Sequence, residues 1–237
     1  MKPQYFASTL FVATLLLTSC GHHQKKKSPE AGMPVTQSIS AKGVEHLISN
    51  WPEASKKAAN SMIKKYGLPH DYTDMSLIWH ESGPFKRIMV YREEVPHNFP
   101  LPHTDVLQQW VNYKVPLSKV DDLWQFDGSV MFDRTKGEMS ARCDKEEMNV
   151  LALNLADQVI KGKMSAEQAR KEYANSVSIS LAGHLNDYTD GLNFSPMLDT
   201  ADPDKVVKVR QIENMQAQEA KPLNERSRAE KVDEALE

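Results

Sequence analysis

A long apolar stretch between Asp144 and Gly162 constrains the fold of this 237-residue chain more than any other part of its sequence. Because an α-helix turns once in about 3.6 residues, side chains spaced by three and four positions share one face. The residues that meet this spacing are Met148, Leu151, Ala152, Leu155, Ala156 and Val159, and the stripe is widened by Val150, Leu153 and Ile160. Asp144 followed by Glu147 resembles a capping box, and glycine often ends a helix. We therefore predict the central core helix at 145–161.

Two pairs of short segments predict β-hairpins. Residues 75–80 and 85–91 are rich in strand-forming side chains and flank the turn residues 81–84. Residues 129–133 and 138–143 form a second pair, separated by a glycine-containing turn. In the last segment apolar and polar residues alternate, so one face of this hairpin should be buried. Since an isolated two-stranded ribbon is only marginally stable, we expect the hairpins to share one sheet of about four strands.

Weaker signals place further elements around the hairpins. The first structured element should be a helix that begins near 50–52, because Pro52 suits a first helical turn. Pro96, Pro100 and Pro102 exclude a helix or a central strand from the segment that contains them. The other predicted elements are helices at 104–113, 118–126 and 165–173 and a short strand at 177–182.

These elements predict an α+β domain over 44–195, in which an antiparallel sheet of two β-hairpins packs against several helices. Residues 196–237 are rich in charged side chains and poor in aromatic ones. This composition predicts a charged, disordered or loosely helical tail. The formal net charge of −3 is too mild an imbalance for a dedicated nucleic-acid-binding protein, so we expect no nucleic-acid partner.

The amino terminus contains a motif that concerns location. Lys2 supplies a positive charge ahead of an apolar run from Phe6 to Leu17, and the sequence Leu17-Thr18-Ser19-Cys20 ends this run. The pattern resembles the signal peptide and lipobox of bacterial lipoproteins, and the resemblance covers residues 1–21. The apolar run is too short for a permanent membrane-spanning helix, which needs roughly 20 apolar residues.

In that family the cysteine sulfur receives a diacylglycerol and the preceding bond is cut. The resemblance therefore implies a signal peptide over 1–19 and lipid attachment at Cys20, where two or three acyl chains such as palmitate give stable anchoring. Gly21 stands where an inner-membrane retention signal usually has aspartate, so the resemblance favours the outer membrane in an organism with two membranes. Residues 20–43 contain prolines and few large apolar groups, which predicts a lipidated flexible tether.

Cys20 and Cys143 are the only cysteines of the chain. Because the resemblance assigns the first to the lipid, the mature domain has no intramolecular disulfide and must be stabilised by its core. Cys143 precedes a predicted helix, where a thiol can become a nucleophile. Its alternation with Met139 and Ala141 instead favours a buried, packed thiol.

The proline-rich stretch 95–105 contains the principal candidate for a functional site. His97, His103 and Asp105 are residue types that bind metal ions, and three protein ligands would leave a position open for water. Their spacing corresponds to no familiar metal motif. The sequence therefore offers these residues as candidate metal ligands without identifying a family of sites.

A more common arrangement can explain the same stretch. In this alternative the prolines shape a loop, Phe99 and Leu101 pack into the core, and Thr104 or Asp105 caps the helix that follows. This alternative is favoured because buried or capping polar residues far outnumber metal ligands in proteins.

Other chemistry-bearing features are weaker. Asp127, Asp133 and Glu138 resemble a carboxylate cluster, although acidic residues are common at turns and hairpin ends. The chain contains no glycine-rich phosphate loop and no Gly-x-Ser-x-Gly, His-Glu-x-x-His or Cys-x-x-Cys motif. We therefore expect no cofactor and favour a protein that is not an enzyme. The four tryptophans should pack in the core or at its rim, unless two of them line one groove.

The sequence thus predicts a membrane-anchored lipoprotein of the cell envelope that presents a non-enzymatic binding or scaffolding domain. Its expected partners are membrane lipid, through the acylated Cys20, and an envelope protein or glycan. The alternative is an envelope hydrolase with a metal site at His97, His103 and Asp105.

Overall fold

One antiparallel sheet organises the molecule. The computed structural model describes residues 40–184 and 186–207. The strands of these residues are β1 (Asp71–Thr73), β2 (Ser76–Ser82), β3 (Phe85–His97), β4 (His103–Asn112), β5 (Met131–Asp133) and β6 (Glu138–Cys143). They lie in the order β1-β2-β3-β4-β6-β5, and every neighbouring pair is antiparallel. The predicted α+β class is confirmed, with six strands where about four were expected.

Of the described helices, two precede the strands in the sequence, one lies between β4 and β5, and two follow β6. In the described part of the chain they are α1 (Ala41–Ser49), α2 (Glu53–Tyr66), α3 (Val120–Phe126), α4 (Glu146–Ile160) and α5 (Ala166–Leu181). A 3-10 turn at Leu117–Lys119 leads into α3. Among the described residues, no helix combines the length and the apolar character needed to cross a membrane.

The apolar stripe forms the predicted core helix, α4. It packs against β4, β6, α3 and α5, and Leu151, Leu153 and Leu155 are fully buried. Because neighbours lie on several sides, apolar residues outside the main stripe are buried as well. The predicted capping residue, Asp144, is wrong. The N-cap is Lys145, which has an extended backbone (φ −154°, ψ 157°) and directly precedes the helix.

The predicted helix at 104–113 is wrong, because these residues form β4. This strand lies between β3 and β6, and the five consecutive residues 105–109 are all buried. A strand covered on both faces shows no alternation of polar and apolar residues, so its sequence lacks the strand signal. The side chain of Gln108 donates to Ser140 and accepts from Tyr91, and these bonds allow a polar residue inside the sheet.

Both predicted hairpins are confirmed, as β2–β3 and β5–β6. The first is longer than expected, since β3 continues through Pro96 to His97. In the described residues β2 pairs with β3 only as far as Tyr91, so Pro96 has a strand neighbour on the β4 side alone. Proline has no N–H to donate to a neighbouring strand. It is therefore tolerated where a strand is paired on one side only.

Two predicted boundaries are wrong. The first structured element is α1, which begins at Ala41 and not near 50–52, because the hydroxyl of Ser40 accepts a hydrogen bond from the N–H of Gly43 and caps it. Residues 177–182, predicted as a strand, continue α5 to Leu181. The helix packs against α3 and α4, and this tertiary contact outweighs the strand preference of its β-branched residues. Its predicted capping box, Ser165 with Gln168, is present.

Residues after α5 run back along the sheet. The N–H of Met197 donates to the carbonyl of Asn112 at 3.0 Å, and the hydroxyl of Thr200 donates to the carbonyl of Gly137 at 2.7 Å. Gly137 has φ 65°, and a Cβ built there would lie 2.2 Å from the carbonyl carbon of Thr200. This turn therefore requires glycine for both its backbone conformation and its close contact.

Several predictions concern residues that the structure does not describe. The signal peptide, the lipobox with Cys20 and most of the predicted tether lie outside the described residues, as does the part of the predicted tail from 208 onwards. The predicted limits of the domain, 44–195, stay predictions.

Candidate metal centre

The β3–β4 hairpin places the two candidate histidines side by side. His97 is the last residue of β3 and His103 the first of β4, and they are direct partners across the ladder. Their ring centroids are 4.9 Å apart. Asp105 lies two residues further along β4, and residues two apart on a strand share a face. The hairpin thus brings together the three residues that the sequence identified as candidate ligands.

One atom of each side chain points toward a common centre. Nδ1 of His97 lies 3.4 Å from Oδ1 of Asp105, and Nε2 of His103 lies 3.3 Å from the same oxygen. All three ligand atoms lie within 4.8 Å of one another. Nitrogen and oxygen ligands held about 2.0–2.1 Å from a tetrahedral ion are roughly 3.3 Å apart. The two measured separations therefore match two edges of such a site.

The other polar atom of each ligand faces a second partner. Nδ1 of His103 is 2.8 Å from the carbonyl oxygen of Leu101, and Nε2 of His97 is 3.7 Å from Oδ1 of Asp127. Oδ2 of Asp105 lies 3.6 Å from Nε of Arg142. Metal-binding histidines commonly donate their second N–H to a carbonyl or carboxylate, which orients the ring and fixes its tautomer. The surroundings of these ligands follow the same pattern.

The inward-facing atoms are poorly satisfied by the protein itself. Within the described residues, Nδ1 of His97 and Oδ1 of Asp105 are buried and have no hydrogen-bond partner of acceptable geometry. The Asp105 side chain is only 3% exposed. Leaving a buried polar group unpaired costs about 1–3 kcal/mol, and more for a charged group. A cation between these atoms would satisfy both.

The charges at the centre are strongly coupled. The Asp105 carboxylate, followed by the Cys143 thiol, raises the pKa of His103 to about 11. Burial raises the pKa of Asp105, but His103 and His97 together outweigh burial and hold it below its ordinary value. The negative groups around His103 thus favour a proton on its ring. A metal ion competes with that proton for the same lone pair.

A layer of aromatic rings covers one side of the centre. The ring of Phe99 packs 5.0 Å from that of Tyr173, and the guanidinium of Arg170 lies 3.8 Å above the Phe99 ring. Burial raises the pKa of Tyr173 well above its ordinary value. This layer limits water access, and His97 and His103 keep about a fifth of their side chains exposed, 20% and 17%.

Cys143 lies next to His103, a contact that the sequence does not predict. It is the last residue of β6 and is 4% exposed, so the predicted burial of this thiol is confirmed. Its sulfur lies 3.3 Å from Nε2 of His103. Burial raises the pKa of the thiol. The residues are 40 positions apart in sequence, and only the pairing of β4 with β6 brings them together.

The three acidic residues that resembled a carboxylate cluster have separate partners. Asp127 follows α3, accepts a hydrogen bond from the N–H of Ser129 and lies beside His97. Asp133 accepts hydrogen bonds from the residues of its own turn, and Glu138 forms ion pairs with Lys86 and Arg87. Of the three, Asp127 belongs to the candidate centre. No local signal in the sequence marks it.

The alternative interpretation of the proline-rich stretch is wrong in two respects. Leu101 is 55% exposed and does not enter the core. Phe99, by contrast, packs against the core. Thr104 and Asp105 cannot cap a following helix, because both lie within β4. The short turn between paired strands places Leu101 at its tip, where solvent access is greatest.

The tryptophans do not share one surface. Trp51 and Trp79 are buried, whereas Trp124 is 56% exposed and stacks on Phe132. Trp110 packs beneath the guanidinium of Arg87. Two of the four, Trp51 and Trp79, are therefore core residues, as the sequence predicted.

Comparisons with protein-family models, curated proteins and solved structures found no match to this chain.

Proposed function

We propose that this protein is a lipid-anchored protein of the cell envelope whose folded domain binds one transition-metal ion through His97, His103 and Asp105. The observation that supports the proposal is the convergence of three ligand atoms within 4.8 Å, two of them buried and, among the described residues, without hydrogen-bond partners. Structural ion pairs usually satisfy each other by direct hydrogen bonds. These atoms face one another at the spacing of ligands around an ion.

The ligand set favours one class of metal. Two imidazoles and one carboxylate suit zinc and its first-row neighbours, whereas calcium and magnesium are bound mainly by oxygen. The outward contacts of His103 with Leu101 and of His97 with Asp127 would hold the rings in a ligating orientation. We therefore expect zinc to bind more tightly than magnesium or calcium.

The location rests on the motif that ends at Cys20. Acylation there would attach the protein to membrane lipid, with the outer membrane favoured, and an envelope protein or glycan is the proposed further partner. Labelled palmitate should enter the full-length protein expressed in bacteria and should not enter the Cys20→Ala variant. Equal labelling of both proteins would exclude this anchor.

A hydrolase is the second candidate function. Three protein ligands leave one position of a tetrahedral ion for water, and a metal-bound water becomes a strong nucleophile near neutral pH. Asp127 lies next to His97, and burial raises the pKa of its carboxyl group, which suits proton transfer. This function requires that the fourth position stay open.

Metal content tests the proposed function directly. Full-length protein purified in detergent and dialysed against zinc should retain one equivalent, measured by elemental analysis. His103→Ala should lose it because the imidazole is removed, and Asp105→Asn because a neutral amide replaces the anionic carboxylate. His80→Ala is the matched control, since His80 also pairs with an aspartate, its Nε2 lying 2.9 Å from Asp71, but in an exposed position on β2. Less than a tenth of an equivalent in the unmodified protein, on the order of contamination, would reject the proposal.

A further inference from the structure

We infer that Cys143 is the fourth ligand of this ion and binds it as a thiolate, which closes the coordination shell and selects a thiolate-binding metal such as zinc. The inference rests on the proposed function and goes beyond it in two ways. It adds a ligand from another strand, and it decides between a binding site and a hydrolase.

Cys143 lies at a distance from His103 that suits a shared metal ion. Its sulfur lies 3.3 Å from Nε2 of His103, the nitrogen that remains for a metal when Nδ1 faces the Leu101 carbonyl. Sulfur at about 2.3 Å and nitrogen at about 2.0 Å from one tetrahedral ion are roughly 3.5 Å apart. The sulfur of Cys143 is thus at nearly the distance from Nε2 of His103 that two ligands of one ion would have.

The inference requires a change of the Cys143 side-chain rotamer. The sulfur is not part of the group of atoms that all lie within 4.8 Å of one another. A cysteine has a single side-chain torsion, and changing it from one staggered rotamer to another swings the sulfur while the strand stays in place. Cys143 is the last residue of β6, so its side chain has fewer strand neighbours than one in the middle of the sheet.

Asp105 points to a bound ion independently of Cys143, because its buried carboxylate is only partly satisfied. Its side chain is 3% exposed, and Oδ1 finds no hydrogen-bond partner within the residues that the structure describes. This oxygen is aimed at Nε2 of His103, the same nitrogen that the sulfur approaches. The carboxylate of Asp105 and the thiolate of Cys143 would therefore both bind the ion next to the imidazole of His103.

The thiol of Cys143 has a second neighbour. Its sulfur donates a hydrogen bond to Oδ1 of Asp144 at 3.5 Å. Binding as a thiolate would exchange this hydrogen bond for the metal–sulfur bond.

The chemistry of binding is a proton-for-metal exchange without oxidation or reduction. The S–H bond of Cys143 breaks, the metal–sulfur bond forms from the sulfur lone pair, and the proton leaves to solvent. Thiolate ligands select zinc, cobalt and copper(I) over magnesium, calcium and manganese. A four-ligand site without an open position is typical of bound metals that do not catalyse hydrolysis. The inference therefore favours the binding protein over the hydrolase.

Cobalt(II) spectroscopy tests the inference, because cobalt replaces zinc and reports its ligands. The full-length protein with Cys20→Ser contains Cys143 as its single thiol. One equivalent of cobalt should give visible bands of tetrahedral coordination together with a thiolate-to-cobalt charge-transfer band in the near ultraviolet. The further substitution Cys143→Ser should remove the charge-transfer band and weaken zinc binding by more than about 100-fold, beyond the 10–100-fold expected for a residue that only orients a ligand.

The other outcomes separate the two proposals. Stoichiometric cobalt binding without the charge-transfer band would overturn the role of Cys143 and leave the three-ligand site, with its open position, intact. Failure to bind cobalt or zinc at all would overturn the proposed function, and the inference with it. The spectrum of the Cys20→Ser protein decides between these outcomes even if Cys143→Ser does not fold, because that spectrum needs no substitution in the core.

Discussion

Asp105 and Glu138 are buried carboxylates on the neighbouring strands β4 and β6, and their charges are balanced in different ways. Both side chains are 3% exposed. Each oxygen of Glu138 has a cation 3.0 Å away, Lys86 on one side and Arg87 on the other. The nearest nitrogen atoms of His97, His103 and Arg142 lie 3.3–3.6 Å from the Asp105 carboxylate, and its Oδ1 has no hydrogen-bond partner in the described part of the chain.

The difference is the one that we expect between a structural ion pair and a metal ligand. Direct contacts at 3.0 Å satisfy Glu138 within the protein, so nothing further is needed to stabilise its charge. The atoms around Asp105 stand apart and converge on one point, which is the arrangement expected where a ligand supplies the missing contacts. Four predictions test this comparison.

Zinc should change the stability of the protein most. At a free zinc concentration about 1,000 times the dissociation constant, binding should raise the free energy of unfolding by about 4 kcal/mol. Asp105→Asn should abolish this increase, because it replaces the anionic carboxylate with a neutral amide, a much weaker metal ligand. Glu138→Gln should keep it. Denaturant unfolding with and without zinc measures the increase, and equal increases in both variants would contradict the comparison.

Without metal, both variants should be less stable than the wild type. Glu138→Gln should lower the free energy of unfolding by about 2 kcal/mol, since hydrogen bonds to charged groups contribute roughly 1.5–3 kcal/mol. Asp105→Asn should lower it as well, because the negative charge that raises the pKa of His103 is lost. Chelator-treated proteins in the same denaturant series provide the measurement. An unchanged stability of Asp105→Asn would show that Asp105 and His103 form no ion pair in the metal-free protein.

The effect of Glu138 should also depend on pH. Burial raises the pKa of its carboxyl group, but Lys86 and Arg87 outweigh burial, and the pKa lies below its ordinary value. A lowered pKa stabilises the fold above the ordinary carboxyl pKa, and this contribution is lost as the pH falls through the folded value. The difference in unfolding free energy between the wild type and Glu138→Gln should therefore shrink as the solution is acidified from neutral pH. A difference that stays constant would show that the ion pairs contribute nothing.

The smallest effect should come from the exposed pair of His80 and Asp71. Both side chains are more than half exposed, at 51% and 64%, and surface ion pairs contribute about 0–1 kcal/mol. His80→Ala should change the unfolding free energy by no more than this amount and leave zinc binding unchanged. A loss of zinc would place a second site on β2.

The residues of the candidate centre were predictable, but their arrangement was not. The composition of 95–105 identified His97, His103 and Asp105, because imidazole and carboxylate side chains gathered around prolines are uncommon. The predicted helix at 104–113 would have placed His103 and Asp105 on different faces. Convergence arises instead from the strand period of two and from the direct pairing of His97 with His103.

Cys143, Asp127 and Arg142 could not have been grouped with the histidines from sequence. Cys143 and Arg142 are adjacent residues of β6, and Asp127 follows α3. The pairing of β4 with β6 and the packing of α3 decide these positions. A contact across 40 residues leaves no local pattern, so Cys143 was correctly predicted as buried while its neighbour stayed unknown.

The sequence by itself determined the elements whose signal is local. The wide apolar stripe of α4, the turns of the two hairpins and the Ser165–Gln168 capping box follow from side-chain spacing and backbone preference, which act over a few residues. Tertiary structure decided that 104–113 is a strand, that α5 continues to Leu181 and that six strands share one sheet. It also decided the centre, because burial on both faces erases the strand pattern of β4, and because ligand geometry depends on residues that only a folded sheet brings together.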